Sequence, residues 1–242
     1  MDETPHDIRR RRLLLAATAA PTVAWLAACA GTPGSRDGPP LDAPVLKVGD
    51  RWTYRGRDGF RDPFLWDETR EVVAVAPGAI DIRIVRRGPN VNTDRVERWT
   101  SPGDLARGSV LETEVRNFEP PLPRWRYPLV RGERWNLWAN NTHPDGRTGR
   151  INYFATVGGW NTIDTPAGPF DAIGVRVLLI LDDEEFWRTA TEANHLFWIS
   201  PKVGNSVLEE LTAQYFEKGD PLSRMSIRSQ NARIELASYT RR

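Results

Sequence analysis

One cysteine and three histidines in 242 residues leave little material for several kinds of chemistry. A lone thiol closes no disulfide within the chain, so covalent cross-links do not support the fold. A zinc centre wants three or four ligands at defined spacing, and neither HExxH nor CxxC occurs. There is no G-x-S-x-G elbow to strain a nucleophilic serine. No apolar run reaches the roughly 20 residues that a membrane-crossing helix needs. An excess of charge is missing too: beyond residue 28, basic and acidic residues number 29 each. No global field therefore recruits nucleic acid or anionic lipid. The expectation is a protein without catalytic residues, metal or cofactor.

What is present begins at the N-terminus. Arg9 to Arg12 form a positive segment, and Leu13 to Ala28 form a short apolar run interrupted by Pro21. That order predicts a signal helix, with residues 1–28 removed on export. Its end, Leu26-Ala27-Ala28-Cys29, resembles the lipobox of bacterial lipoproteins. The resemblance implies cleavage between Ala28 and Cys29, lipidation of the Cys29 sulfur and attachment to a membrane through that lipid. Small side chains before the cysteine admit an extended backbone to a peptidase, and two or more acyl chains make an anchor stable. Arg10-Arg11-Arg12-Leu13-Leu14 also resembles a twin-arginine export motif, but Arg9 stands where that pattern has Ser or Thr, so both export routes stay open. Ala30 follows the cysteine; by resemblance to enterobacterial sorting, that implies the outer membrane, facing the periplasm.

Residues 29–44 read as a lipidated tether. The Gly-, Pro- and Ser-rich stretch from Ala30 lacks an apolar period, which predicts a disordered spacer of roughly 20 Å. From Val45 to the C-terminus the pattern is strand. Ile80, Ile82 and Ile84 alternate with Asp81 and Arg83, and Ile151, Tyr153, Ala155 and Val157 with Asn152 and Thr156. In Val207, Glu209, Leu211, Ala213 and Tyr215 the alternation breaks once, at Glu209. Val175 to Leu181 is almost continuously apolar, as a strand covered on both faces would be. Pro77-Gly78, Gly88-Pro89-Asn90, Asp145-Gly146 and Ala167-Gly168-Pro169 mark turns.

Three segments recur in order. Val48-Gly49-Asp50-Arg51-Trp52 matches Arg131-Gly132-Glu133-Arg134-Trp135. Glu97-Arg98-Trp99-Thr100-Ser101-Pro102 matches Leu196-Phe197-Trp198-Ile199-Ser200-Pro201, and Ser109-Val110-Leu111-Glu112 matches Ser206-Val207-Leu208-Glu209. The reading is a duplicated antiparallel unit, about 44–117 and 128–217, with a Pro-rich joint between and two C-terminal strands within 222–240. The expected fold is all-β, one curved sheet, half-barrel or sandwich in domain 45–242.

Trp52, Trp99, Trp135 and Trp198 sit at repeated positions. They read first as duplicated packing and second as aromatics facing a ligand. His143 in a turn and His195 in a strand complete no metal set, and Asp182-Asp183-Glu184-Glu185 reads as a solvated hairpin end. Thr165-Pro166-Ala167-Gly168-Pro169-Phe170-Asp171-Ala172 and Trp198-Ile199-Ser200-Pro201-Lys202-Val203-Gly204 resemble segments of TapB-like periplasmic β proteins. That family's curved sheet is similar to the carriers of the LolA and LolB type. The resemblance implies an exported, envelope-tied β domain without catalytic residues. The leading expectation is a non-enzymatic envelope protein binding a protein partner or apolar ligand on its sheet. A structural or assembly factor for a surface apparatus, working through sheet edges, is the alternative; an envelope hydrolase is the third.

Overall fold

The computed structural model describes residues 35–59, 63–111, 114–219 and 226–242. The expected signal helix, Ala28 and Cys29 lie outside the described residues. Residues 35–242 form one compact unit. Its strands are β1 Arg51–Asp58, β2 Phe64–Ala76, β3 Ala79–Gly88, β4 Val91–Ser101, β5 Asp104–Gly108 and β6 Arg116–Pro123. They continue as β7 Arg134–Thr142, β8 Thr148–Thr165, β9 Gly168–Leu181, β10 Thr191–Ser200, β11 Asn205–Phe216 and β12 Ser226–Thr240.

Each strand pairs antiparallel with its chain neighbours, and β12 closes the ring on β1, from Arg51↔Thr240 to Asp58↔Ala232. The half-barrel or sandwich expectation is thereby corrected: the sheet is a closed twelve-stranded barrel. Closure follows from edge chemistry, since an open sheet leaves two rows of unpaired N–H and C=O groups. The two expected C-terminal strands are one, β12. The apolar run in β9 is covered on one face only, because Arg176 and Leu178 face outward and are exposed.

Alternation decides which side chains enter the barrel. Ile80, Ile82 and Ile84 of β3 are buried, as are Ile151, Tyr153, Ala155 and Val157 of β8. The outer wall carries charge instead: Arg83 pairs with Asp94 and Arg98 with Asp81 across β3 and β4, and Arg233 with Glu210 and Glu235 near β12. A lipid-facing barrel wears an apolar outer band; these strands face water.

Eight strands make a barrel that side chains fill, and diameter grows with strand number. Twelve need more filling. The 124–133 connection supplies part of it by folding back into one end, the base. Trp125 there meets Trp99 and Phe197 edge-on, with ring centroids 5.5 and 5.6 Å away. This intrusion explains why β6 and β7 share only three residue pairs, from Asn117↔Thr142 to Glu119↔Asn140.

The N-terminal segment closes the same end. Arg36 bridges to Trp160 and Leu41 to Leu129 by paired backbone hydrogen bonds, and Leu41 and Leu46 are buried. A disordered spacer across 35–44 is therefore not what the chain forms. Asp50, fully buried, accepts the Lys47 N–H at 3.0 Å and the Arg242 N–H at 2.7 Å, with Arg241 Nε 3.1 Å away. It ties both ends of the described chain to the base.

Candidate ligand-binding interior

At the opposite end, the mouth, the barrel holds a cavity of about 270 Å³. Its apolar lining is formed by Trp66, Ile84, Leu179, Phe197, Leu211 and Ile234. Exposed Ser229 and half-buried Asp58 and Val91 mark the opening.

Charged side chains lie among the apolar ones on the same strands. β2 adds Arg70, β3 Arg86, β4 Arg95 and Glu97, β10 His195, β11 Glu209, and the intruding connection Arg124, with Glu68 of β2 buried behind the lining. Glu68 and Arg86 stand directly opposite in the β2–β3 register and form an ion pair. Arg70 joins two acids, with Nε donating to Glu68 and Nη1 to Glu209, each at 2.6 Å. Its guanidinium also lies over the Tyr54 ring, 4.4 Å from the centroid. Arg124 donates to Glu97 at 3.2 Å and to the Ser109 carbonyl. Glu209 accepts a further bond from the Ser206 hydroxyl.

Burial pushes the Glu68 carboxyl upward, but Arg70, Arg86 and Arg95 outweigh it and bring its pKa to about 2. Glu209 is likewise held well below the ordinary carboxylate range: burial opposes, and Arg70 and His195 prevail. Glu97 is lowered against its burial by Arg124, Arg95 and Arg70. Burial lowers the His195 pKa, and Glu209 offsets this only in part, so the imidazole is neutral at pH 7. Its Nε2 stands 3.5 Å from Glu209, an ion-pair distance and not a closed hydrogen bond, and its ring stacks on Phe197.

Arg95 differs from the other three arginines. Its side chain is only 9% exposed, yet Nε and Nη1 are buried without an acceptor among the described residues, and the Glu97 carboxylate stays 3.9 Å from Nε. An unmade buried bond of this kind costs about 1–3 kcal/mol, more for a charged group. Four guanidinium groups thus line the cavity with the carboxylates of Glu97 and Glu209; Glu68 lies behind, paired with Arg70 and Arg86, and Asp58 stands at the rim, where it accepts the Asn231 N–H.

The tryptophans singled out in the sequence lie elsewhere. Trp52, Trp99, Trp135 and Trp198 are all buried, from 0% to 7% exposed, and none is among the cavity-lining residues. Trp52 and Trp135 donate to the carbonyls of Val203 and Pro123. They open β1 and β7, and before each stands a glycine at left-handed φ, Gly49 at +89° and Gly132 at +88°. The tryptophan that does line the cavity, Trp66, was not among the four. Gly56 makes room for it: a Cβ there would lie 2.1 Å from the indole.

His143 is held by Glu114 at 2.6 Å. Among the described residues no cluster of three or more His, Cys, Asp or Glu could hold a metal ion. Asp183 is no free hairpin acid, since it accepts from the Thr191 N–H and hydroxyl and from Arg188.

No family model matches the chain, and no curated protein matches it. Among solved structures, a candidate exported protein with a YmcC-like fold from Bacteroides fragilis aligns over 84% of this chain and all of its own, at 11% identity and a TM-score of 0.49. A candidate lipoprotein from Parabacteroides distasonis has the same coverage at 14% identity and a TM-score of 0.46. The hypothetical lipoprotein YmcC of Escherichia coli aligns over 78% of this chain and 84% of its own, at 10% identity and a TM-score of 0.43. The lipobox and TapB-like resemblances rest on their own residues.

Proposed function

We propose that this chain is an exported, lipid-anchored envelope protein whose barrel binds a small amphipathic ligand in its interior without turning it over. The observation that carries the reading is the cavity, lined by apolar side chains interleaved with charged ones inside a closed barrel. Concave sites of this composition, apolar with a few placed polar groups, are where small ligands bind. Assembly through sheet edges has less to work with. Every strand is paired within the ring, and the gaps are short, with β7 lacking a β6 partner over Arg134–Ala139 and β4 a β5 partner over Val91–Glu97.

The signal, the lipobox and Ala30 support export and outer-membrane anchoring. Cys29 precedes Ser35 by six residues, at most ~20 Å of extended chain.

Two experiments test the reading. Calorimetric titration with octanol is expected to give one site per chain, which Ala232→Phe, filling the cavity wall, abolishes. Absence of binding, or binding indifferent to that substitution, would contradict it. Membrane fractionation is expected to find Cys29→Ser protein released by a high-salt wash; retention would refute the anchor.

A further inference from the structure

We propose that the interior site selects a monoanionic amphipath, a carboxylate on a chain or ring of about ten non-hydrogen atoms, seated on Arg95. The inference rests on the interior-ligand reading and adds the head group.

Charge is the first argument. Arg70, Arg86 and Arg124 each donate to a carboxylate of the interior, and Arg95 donates to none among the described residues. Arg95 is thus the guanidinium left with buried donors unused, its nearest carboxylate, Glu97, standing 3.9 Å from Nε. A carboxylate brings one negative charge. A phosphate monoester brings more than one guanidinium balances.

Placement is the second. β4 carries Arg95 inward directly opposite Ile84 of β3, two inward positions deeper than Val91 at the mouth. A guanidinium here holds the head group, while Trp66, Leu211 and Ile234 line the space for its apolar tail. A buried anion and a buried guanidinium form a charge-assisted bond, stronger than a neutral one.

Size is the third. About 270 Å³ lies near the lower end of the roughly 300–1,000 Å³ that small-ligand pockets span. Octanoate, with eight carbons and two oxygens, is of that order; a diacyl lipid is not.

The full chain is titrated with octanoate, octanol and octyl phosphate at pH 7.5, alongside Arg95→Met, Arg95→Lys and the surface control Arg83→Met. The wild type is expected to prefer octanoate over octanol by about 10- to 100-fold, the range of a bond to a charged partner. Arg95→Met should erase the preference while octanol still binds, and its retained octanol site shows the variant folded. Arg95→Lys should keep part of the preference, and Arg83→Met all of it. Equal binding of octanoate and octanol, or a preference that survives Arg95→Met, overturns the inference and leaves the interior site standing. Octyl phosphate bound more tightly than octanoate overturns the carboxylate assignment. Failure of every ligand overturns both the inference and the reading beneath it.

Discussion

Arg70 of β2 donates to Glu209 of β11 at 2.6 Å through the barrel interior, linking strands that are separated in the wall by β1 and β12. The same guanidinium holds Glu68, so one side chain compensates two buried carboxylates. Removing it leaves both acids short of a partner. Arg70→Met is expected to cost about 3–5 kcal/mol, the usual penalty for orphaning a buried ion. Urea unfolding measures it. A loss below about 1 kcal/mol would mean that the acids find other donors.

Acid should unfold the barrel in two stages, with the sign set by depressed pKa values. Below the ordinary histidine value of 6.5, the unfolded chain takes up a proton that buried His195 refuses, so stability starts to fall there. Glu68, at about 2 in the fold, adds stability that is complete above the ordinary value of 4.5 and lost as pH falls toward 2. Glu209 and Glu97, also lowered, act in the same direction. His195→Gln should remove the upper stage and spare the lower. A melting profile flat from pH 7 to 5 in the wild type would contradict the neutral imidazole.

Gly56 should tolerate no side chain. A methyl group 2.1 Å from the Trp66 indole must push that ring into the cavity. Overpacking of this sort costs about 1–3 kcal/mol. Gly56→Ala is therefore expected to lower stability and octanol affinity together, read by unfolding and calorimetry on one sample.

At the base, Asp50 and the last two residues should act as a single unit. Asp50→Ala and removal of Arg241 and Arg242 each break the same contacts. Their combined cost should fall well short of the sum, as for residues in one network. Additive losses would show that Asp50 depends chiefly on the Lys47 N–H.

The alternation Ile80-x-Ile82-x-Ile84 and the run from Ile151 to Val157 made β3 and β8 readable from sequence, because their inward and outward positions differ in polarity. Closure was not readable: it depends on β12 meeting β1, a pairing between the far ends of the chain that no local pattern encodes. The charged interior was hidden for a related reason. In β2, inward Glu68 and Arg70 alternate with outward Asp67 and Glu71; in β4, inward Arg95 and Glu97 alternate with outward Asp94 and Arg98. With charge on both faces the period-two signal vanishes. Glu209, the one break in the β11 alternation, was the visible clue, and it points into the cavity. The repeated tryptophans attracted notice by size and recurrence, which mark packing as readily as binding.

The indole N–H resonances of the full chain test the interior site most directly. Trp66 lines the cavity and its Nε1 has no acceptor among the described residues, whereas those of Trp52, Trp135 and Trp160 are bonded to Val203, Pro123 and Pro39. Saturating octanol should shift the Trp66 signal and leave the other three in place. A spectrum in which Trp66 stays fixed, or in which Trp52 and Trp135 move instead, would contradict the account.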